Sequence, residues 1–364
     1  MRHYLDHAST SPLRPGVLDA MLPWFDAADP GRVHTEGRMA RAALEEAREQ
    51  VAALLHARPR EVVFTSGATE AVNAAVFGAT RRHPGPVAVA DVEHSAVRDA
   101  SARLAKTITI AVDGTGRIDP DAIAFDEGLA LVHCQWGNHE VGTLQPVEQV
   151  IAACREHGVL VHVDAAQAVG RVPVQLGDAD LLSVSAHKLG GPKGVGALLV
   201  RRGLRLDPLL LGGEQERARR GGLENVAAAV GFGAAAEGID VAAEQARQQQ
   251  QTERIFDAAM RISGVVRYGH PTERLPHIAC VGIDGVEAEP VLLGLDQAGI
   301  AAHSGSSCSS ESLEPSPVLQ AMGADGERSL RLSVGWSTTD ADVYAVVDAL
   351  PRVVERLRSL RSSG

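Results

Sequence analysis

Aromatic residues are scarce in this chain of 364 residues, at 3 % of the sequence. That removes the stacking platforms on which sequence-tolerant single-strand nucleic-acid binding depends. Basic residues are also outnumbered: 35 Lys and Arg stand against 46 Asp and Glu, a formal charge of −11. No general affinity for a phosphate backbone, and so no direct nucleic-acid partner, is expected. Cysteine is limited to Cys134, Cys154, Cys280 and Cys308, with no C-x-x-C pair and no histidine at finger spacing. This spacing indicates neither a disulfide framework nor a zinc site, and reduced thiols are the default. No apolar run approaches the roughly 20 residues needed to cross a bilayer. The opening Met1 to Asp6 carries no apolar stretch of the export type. The expectation is a soluble, cytoplasmic protein without a membrane partner.

What is present is an ordinary globular composition, 45 % hydrophobic and 22 % charged. Its length suits one large domain plus a smaller one. Short β-branched runs at 61–65, 87–90, 129–133, 160–163, 181–184 and 197–200 alternate with helical patterns. Such alternation predicts an α/β fold with a mostly parallel sheet covered on both faces. One helix is predicted from Pro146 to just before Gly158. After Gly222 an Ala-, Glu- and Gln-rich stretch reaching Ile262 reads as one extended connecting helix. Beyond it, strand-like 277–283 and 330–334 mix with helical 287–298 and 340–360, a smaller α+β unit.

The most informative motif is Ser183-Val184-Ser185-Ala186-His187-Lys188 followed by a glycine-rich turn through Gly196. A strand that delivers a lysine into small residues lets a flat ligand approach, and an amine held there can form a Schiff base with an aldehyde cofactor. A lysine in isolation is more often a solvated loop residue; the Ser-x-His-Lys context reverses that reading. Asp164 closes the strand 160–163 and reads either as a helix N-cap or as the carboxylate that keeps a pyridinium nitrogen protonated. Gln167 follows at a spacing that reaches the phenolic oxygen of the same cofactor. Thr65-Ser66-Gly67-Ala68-Thr69-Glu70 places a turn between a strand and a helix, where opening amides and the Ser66 and Thr69 hydroxyls bind phosphate. His94 follows a strand and is either a cap or a ring that stacks and moves protons. Cys308 sits in Ser304-Gly305-Ser306-Ser307-Cys308-Ser309-Ser310, without apolar shelter, which suits transfer chemistry. Arg331, in strand-like 330–333, is either an exposed alternating residue or a buried guanidinium seeking a carboxylate.

Together these segments resemble the NifS/IscS-like cysteine desulfurases of the class V aminotransferase group, fold-type I enzymes that depend on pyridoxal 5′-phosphate (PLP). The resemblance runs from Tyr4-Leu5-Asp6-His7-Ala8-Ser9-Thr10 through Asn138-His139-Glu140-Val141-Gly142 and His162 to Gln167, and on to Ser312-Leu313-Glu314-Pro315-Ser316 and Arg331. It implies a large PLP-binding α/β domain over residues 15–262, with a seven-stranded type of sheet. A small α+β domain from residues 1–14 and 263–364 then carries the Cys308 loop. It further implies that Lys188 holds PLP covalently, Asp164 pairs with the pyridine nitrogen, Gln167 meets the phenolic oxygen and His94 stacks on the ring. Thr69, Ser185 and His187 are placed at the phosphate, Ala68 and Asn138 or His139 at the cofactor, and Arg331 with His139 at the substrate.

The family has Asn directly before the Glu of its Asn-Glu motif, where this chain has His139, with Asn138 one position earlier. Its Arg-Ser-Gly-Thr segment, whose Thr reaches the phosphate across a dimer interface, here reads Arg220-Gly221-Gly222-Leu223. Arg219 or Arg220 is expected to compensate for the missing hydroxyl. The implied reaction converts L-cysteine to alanine, with sulfur passed as a persulfide on Cys308 to an acceptor protein such as an iron–sulfur scaffold or a tRNA-thiolation enzyme. The enzyme is expected to be a homodimer. The alternatives are a selenocysteine lyase, another class V aminotransferase-like enzyme, or a scaffold without turnover.

Overall fold

The computed structural model of the chain describes residues 2–304 and 316–362, so Cys308 lies outside the described residues. In chain order the strands are β1 (His3–Tyr4), β2 (Val62–Thr65), β3 (Val87–Ala90), β4 (Thr107–Ile110), β5 (Leu131–Gln135) and β6 (Leu160–Asp164). They continue with β7 (Leu181–Ser185), β8 (Gly196–Val200), β9 (Val265–Arg267), β10 (Ile278–Ile283), β11 (Ile300–Ala301) and β12 (Ser329–Ser333). The helices are α1 (Val17–Met21), α2 (Thr35–Leu54), α3 (Ala68–Arg82), α4 (Ser95–Leu104), α5 (Val147–His157) and α6 (Gln215–Ala218). After these come α7 (Val226–Glu237), α8 (Val241–Ala259), α9 (Ala288–Gln297), α10 (Pro317–Ala321) and α11 (Asp340–Ser362).

Seven strands form one sheet in the order β2-β8-β7-β6-β5-β3-β4. The β4-β3-β5-β6-β7 run is parallel, and β8 alone is antiparallel to its neighbours β7 and β2. Burial on both faces explains the near-continuous apolar strands. Along β3, β5 and β7 alternate residues serve two cores: Val87, Leu131 and Leu181 face α3 and α4, while Ala88, Val132 and Leu182 face the larger core on the other side. Helix α3 lies close to the sheet because its inner face is small, with Ala71, Ala75 and Ala79 buried at four-residue spacing.

A separate core joins Leu5 to Ile255 and Phe256 of α8, to β10 and β12, and to Val343, Val346 and Leu350 of α11. There β10 pairs antiparallel with β12 and β9, and β1 of the N-terminal segment pairs parallel with β11. The expected single helix after Gly222 is instead two: α7 and α8 meet at a 76° bend. Gly238 ends α7, and the Asp240 carboxylate accepts from the Ala243 amide at 3.0 Å to open α8. Composition alone hid this break, because the intervening Gly-Ile-Asp is short. No single described helix is long and apolar enough to cross a membrane.

One buried ion pair fastens the segment after β8 to the sheet. Arg48 of α2, 1 % exposed, donates to Glu216 at 2.7 and 2.9 Å and lies over the Phe64 ring. Glu216 also accepts from the Phe64 amide, and reaches that position through a left-handed backbone (φ 47) continued by Arg217 and Ala218. Left-handed conformation at three successive non-glycine residues is costly, and here the pairing of Glu216 holds it. Replacing one partner leaves a buried charge uncompensated. Arg48→Met is therefore expected to lower unfolding free energy by about 3–5 kcal/mol, read as a shift in urea midpoint; a loss below 1 kcal/mol would show that the pair does not hold this segment.

Candidate active site

Strands β5, β6 and β7 run parallel and end side by side at Gln135, Asp164 and Ser185. Since β2 is antiparallel to β8 and β8 to β7, β2 also ends at this edge, and α3 begins there. This is the edge at which open α/β sheets bind ligands. The register Ser185↔Gly196 closes the turn that carries Lys188. Gly196 must be glycine on steric grounds: a Cβ would lie 2.5 Å from the Val184 carbonyl oxygen and 2.8 Å from the Gly67 Cα. The lysine turn and the turn before α3 are thus held in backbone contact.

Between them lies a cavity of about 500 Å³, ample for a small-molecule cofactor. Ala68 and Thr69 line it from the first turn of α3, together with Ser66 and Gly67. The opening amides of a helix have no intrahelical partner and favour an anion. Ser185, His187 and Lys188 line it from the β7 turn, with Lys193 and Gly194. Asp164 and Gln167 form part of its wall. The Asp164 carboxylate accepts from the Ser183 hydroxyl at 3.1 Å and the Ala166 amide at 3.0 Å, so the N-cap reading and a cavity position coexist. His94 does the same: its Nδ1 accepts from the Ala96 amide at 3.1 Å to cap α4 while the ring lines the cavity. His139 stands edge-on to His94 with ring centroids 5.2 Å apart.

Three expectations change. Asn138 does not line the cavity: it is fully buried, its Nδ2 donates to Val92 and its Oδ1 accepts from the Glu140 and Val141 amides, which spends the amide on building a turn. It is His139 that faces the space. Arg331 also lies behind the wall. Its guanidinium donates to the His139 carbonyl at 2.8 Å, to Ser9 at 2.8 Å and to Asp6 at 3.1 Å, so an internal carboxylate occupies it. In this chain neither Arg219 nor Arg220 lines the cavity. Arg220 donates to Glu70 at 3.0 Å and Arg219 to the Arg60 carbonyl at 2.8 Å.

The sequence reading missed residues contributed from afar. Thr10 and Gln135 also line the cavity. The Ala8 carbonyl accepts from both the Lys188 amine and the Gln167 amide. No local pattern marks a carbonyl in this way, whereas Gln135 continues the alternation of β5 and was open to detection. The described residues that flank 305–315 on either side are each anchored. His303 pairs with Arg331 through both backbone bonds, and Ser316 donates to the buried Glu140 next to His139.

Burial governs the protonation of the surrounding groups. It lowers His187 to about 4, helped by Lys188 and Lys193, lowers His162 to about 4 and His7 to about 3, and lowers His133 and His277 well below their ordinary value. Burial first, and Asp164 second, raise Glu93 to about 8. As pH falls from 6.5 toward 4, the unfolded chain takes up protons that these five histidines refuse in the fold, so their contribution to stability is present above 6.5 and lost in acid. Glu93 has the opposite sign: its contribution is present below 4.5 and lost as pH rises through 8. With five groups against one, the urea midpoint should climb between pH 4.5 and 6.5 and then decline more gently toward pH 8.5; a midpoint that is highest at pH 4.5 would contradict this.

The family described as aminotransferase class-V matches residues 3–346. A cysteine desulfurase of Trichormus azollae is 40 % identical over 98 % of this chain and 94 % of its own length. Cysteine desulfurase IscS 1 of Archaeoglobus fulgidus is 40 % identical over 98 % of both chains. Among solved structures, a NifS-like protein from Rickettsia africae superposes with a TM-score of 0.90 at 26 % identity, covering 98 % of this chain and 100 % of that one. A complex of SspA with cysteine matches at a TM-score of 0.81 and 32 % identity, covering 91 % and 98 %.

Proposed function

Because the chain belongs to the class-V aminotransferase family, we propose that it is a PLP-dependent cysteine desulfurase that works in this cavity. The observation that carries the reading is the convergence of Lys188, Asp164 and the first turn of α3 on one space. That donor set fits PLP: an amine for its aldehyde carbon, a carboxylate for its ring nitrogen, and amides with hydroxyls for its phosphate. Bound there, PLP would supply an electron sink that makes the substrate Cα proton acidic. Lys188 would hold the cofactor and, once displaced by substrate, is the amine at hand to move that proton. Asp164 keeps its place through Ser183, and His187 enters the phosphate end neutral, as a hydrogen-bonding ring. His94 and His139 supply imidazoles on the same wall for further proton movement.

The net reaction transfers sulfur from L-cysteine to the Cys308 thiol, giving alanine and a Cys308 persulfide, with the C–S bond of the substrate broken and an S–S bond formed. Cys308 is four residues beyond Ser304, a span of at most about 14 Å, and Ser304 follows the His303 anchor on Arg331. An acceptor protein would then take the sulfur. Arg331 is the proposed partner of the substrate carboxylate, a role that requires substrate to replace Asp6. A cytoplasmic location is part of the same proposal.

The experiment is to load the protein with PLP, add L-cysteine and measure alanine and sulfide under reducing conditions. The chain has three lysines, Lys106, Lys188 and Lys193, so borohydride reduction and peptide mapping identify the one that holds PLP. Lys188→Ala should abolish both the adduct and alanine formation; Cys308→Ala should keep the adduct and release no sulfide. Undiminished sulfide from Cys308→Ala would remove that thiol from the reaction. A second copy of the chain is the proposed cover for the exposed Leu18, Leu22, Phe25, Met39 and Leu223 around α1, α2 and the approach to α7. Sedimentation should give the mass of a dimer, and a monomer at micromolar concentration would overturn this.

A further inference from the structure

We propose that His277 is a positioning residue for Gln167, fixing the orientation of its side-chain amide so that an N–H is presented to the cofactor. The inference rests on reading the cavity as a PLP site.

The two partners of Gln167 dictate which end of its amide is which. The Ala8 carbonyl can only accept, so the group 2.7 Å from it is the Gln167 NH2. The Gln167 oxygen then faces His277 Nε2 at 3.3 Å and needs a donor there. His277 is fully buried, and Arg171, Lys188, Arg331 and His7 in its surroundings all oppose a charge on the ring. A neutral imidazole has one proton. It must sit on Nε2, and Nδ1, bare and buried, has no hydrogen-bond partner among the described residues.

With its oxygen held by His277 and one N–H taken by Ala8, Gln167 has a second N–H that makes no other hydrogen bond among the described residues. Gln167 lines the cavity, so that donor is available to an oxyanion of the bound cofactor. A flipped amide would set its oxygen against the Ala8 carbonyl. His277 comes from the turn before β10, and the Val334 amide donates to its carbonyl at 2.9 Å. The second core therefore sets the polarity of a contact in the first.

Two measurements test this. In the cofactor-free protein, nitrogen NMR with labelled histidine should show His277 as the neutral Nε2–H tautomer, and Gln167→Leu should shift that signal. In the loaded protein, His277→Leu should weaken PLP binding about tenfold, the scale of one hydrogen bond, and move the absorption band of the bound cofactor. His277→Gln, whose side-chain amide nitrogen reaches the place of the imidazole Nε2, retains a donor and should stay within about twofold. In a Gln167→Leu background His277→Leu should have no further effect, because the residue acts through that amide. An Nδ1–H tautomer, an equal loss in both backgrounds, or a His277→Gln variant as weak as His277→Leu would each overturn the inference. Failure of the wild-type protein to take up PLP would instead overturn the reading beneath it, and the tautomer measurement separates the two.

Discussion

The antiparallel pairing of β8 onto β7, in the register Ser185↔Gly196, is the constraint on which the site depends. A parallel neighbour would have needed a long crossover. The reversal instead returns the chain at once, and the ten-residue turn (186–195) is forced to stand at the edge where β5 and β6 end. Lys188 is placed by that turn. Gly196 then lets β8 pass beneath the Gly67 turn at a distance no side chain tolerates. The Lys188 amine and the first turn of α3 are consequently fixed by the same strand, and neither can move without disturbing the other.

A second dependence runs between the cores. The N-terminal segment leaves β1, pairs with β12 through the Asp6↔Ser333 bridge, and brings the Ala8 carbonyl to Lys188 and Gln167. Arg331 reinforces that path by gripping Asp6 and Ser9 with the same guanidinium that holds the His139 carbonyl. A buried guanidinium with three acceptors makes a rigid joint. The cost is that the arginine is committed: any substrate carboxylate must compete with Asp6, and success would loosen the N-terminal segment from β12. In the proposed role of Arg331, substrate binding would thereby be coupled to the attachment of the N-terminal segment.

How much of this was legible in the sequence follows from how local each signal is. Strand and helix alternation through the sheet was readable, because runs such as Val62–Thr65 and Leu181–Ser185 are buried on both faces and so mostly apolar. Edge strand β4 was not singled out, since Thr107 and Thr109 are exposed and the segment reads as polar. The lysine turn, Asp164 and the α3 turn were legible as motifs because strand, glycine and helix signals fall within a few residues. Asn138 and His139 were ambiguous, because a one-residue offset decides which faces the cavity and which builds the turn. Ala8 and His277 were silent: a backbone carbonyl has no residue identity, and Ala8 meets Gln167 across 159 positions.

The distribution of charge beneath the cavity follows from the same burial. His133 and His162 sit opposite one another on β5 and β6, Nδ1 to Nδ1 at 2.8 Å, one layer below Asp164 on the face under α3. Two protonated imidazoles at that distance would repel in a dry core, and burial already keeps each neutral. Glu93, pushed up to about 8, retains its proton at pH 7 for the same reason, with Asp164 as the second cause. Asp164 accepts from the Ser183 hydroxyl and the Ala166 amide, whereas Glu93 accepts from the Gln135 amide through one oxygen and its other oxygen has no hydrogen-bond partner among the described residues. In the proposed reading, Asp164 would face the ring nitrogen of an electron-sink cofactor above a layer in which His133, His162 and Glu93 are neutral at pH 7.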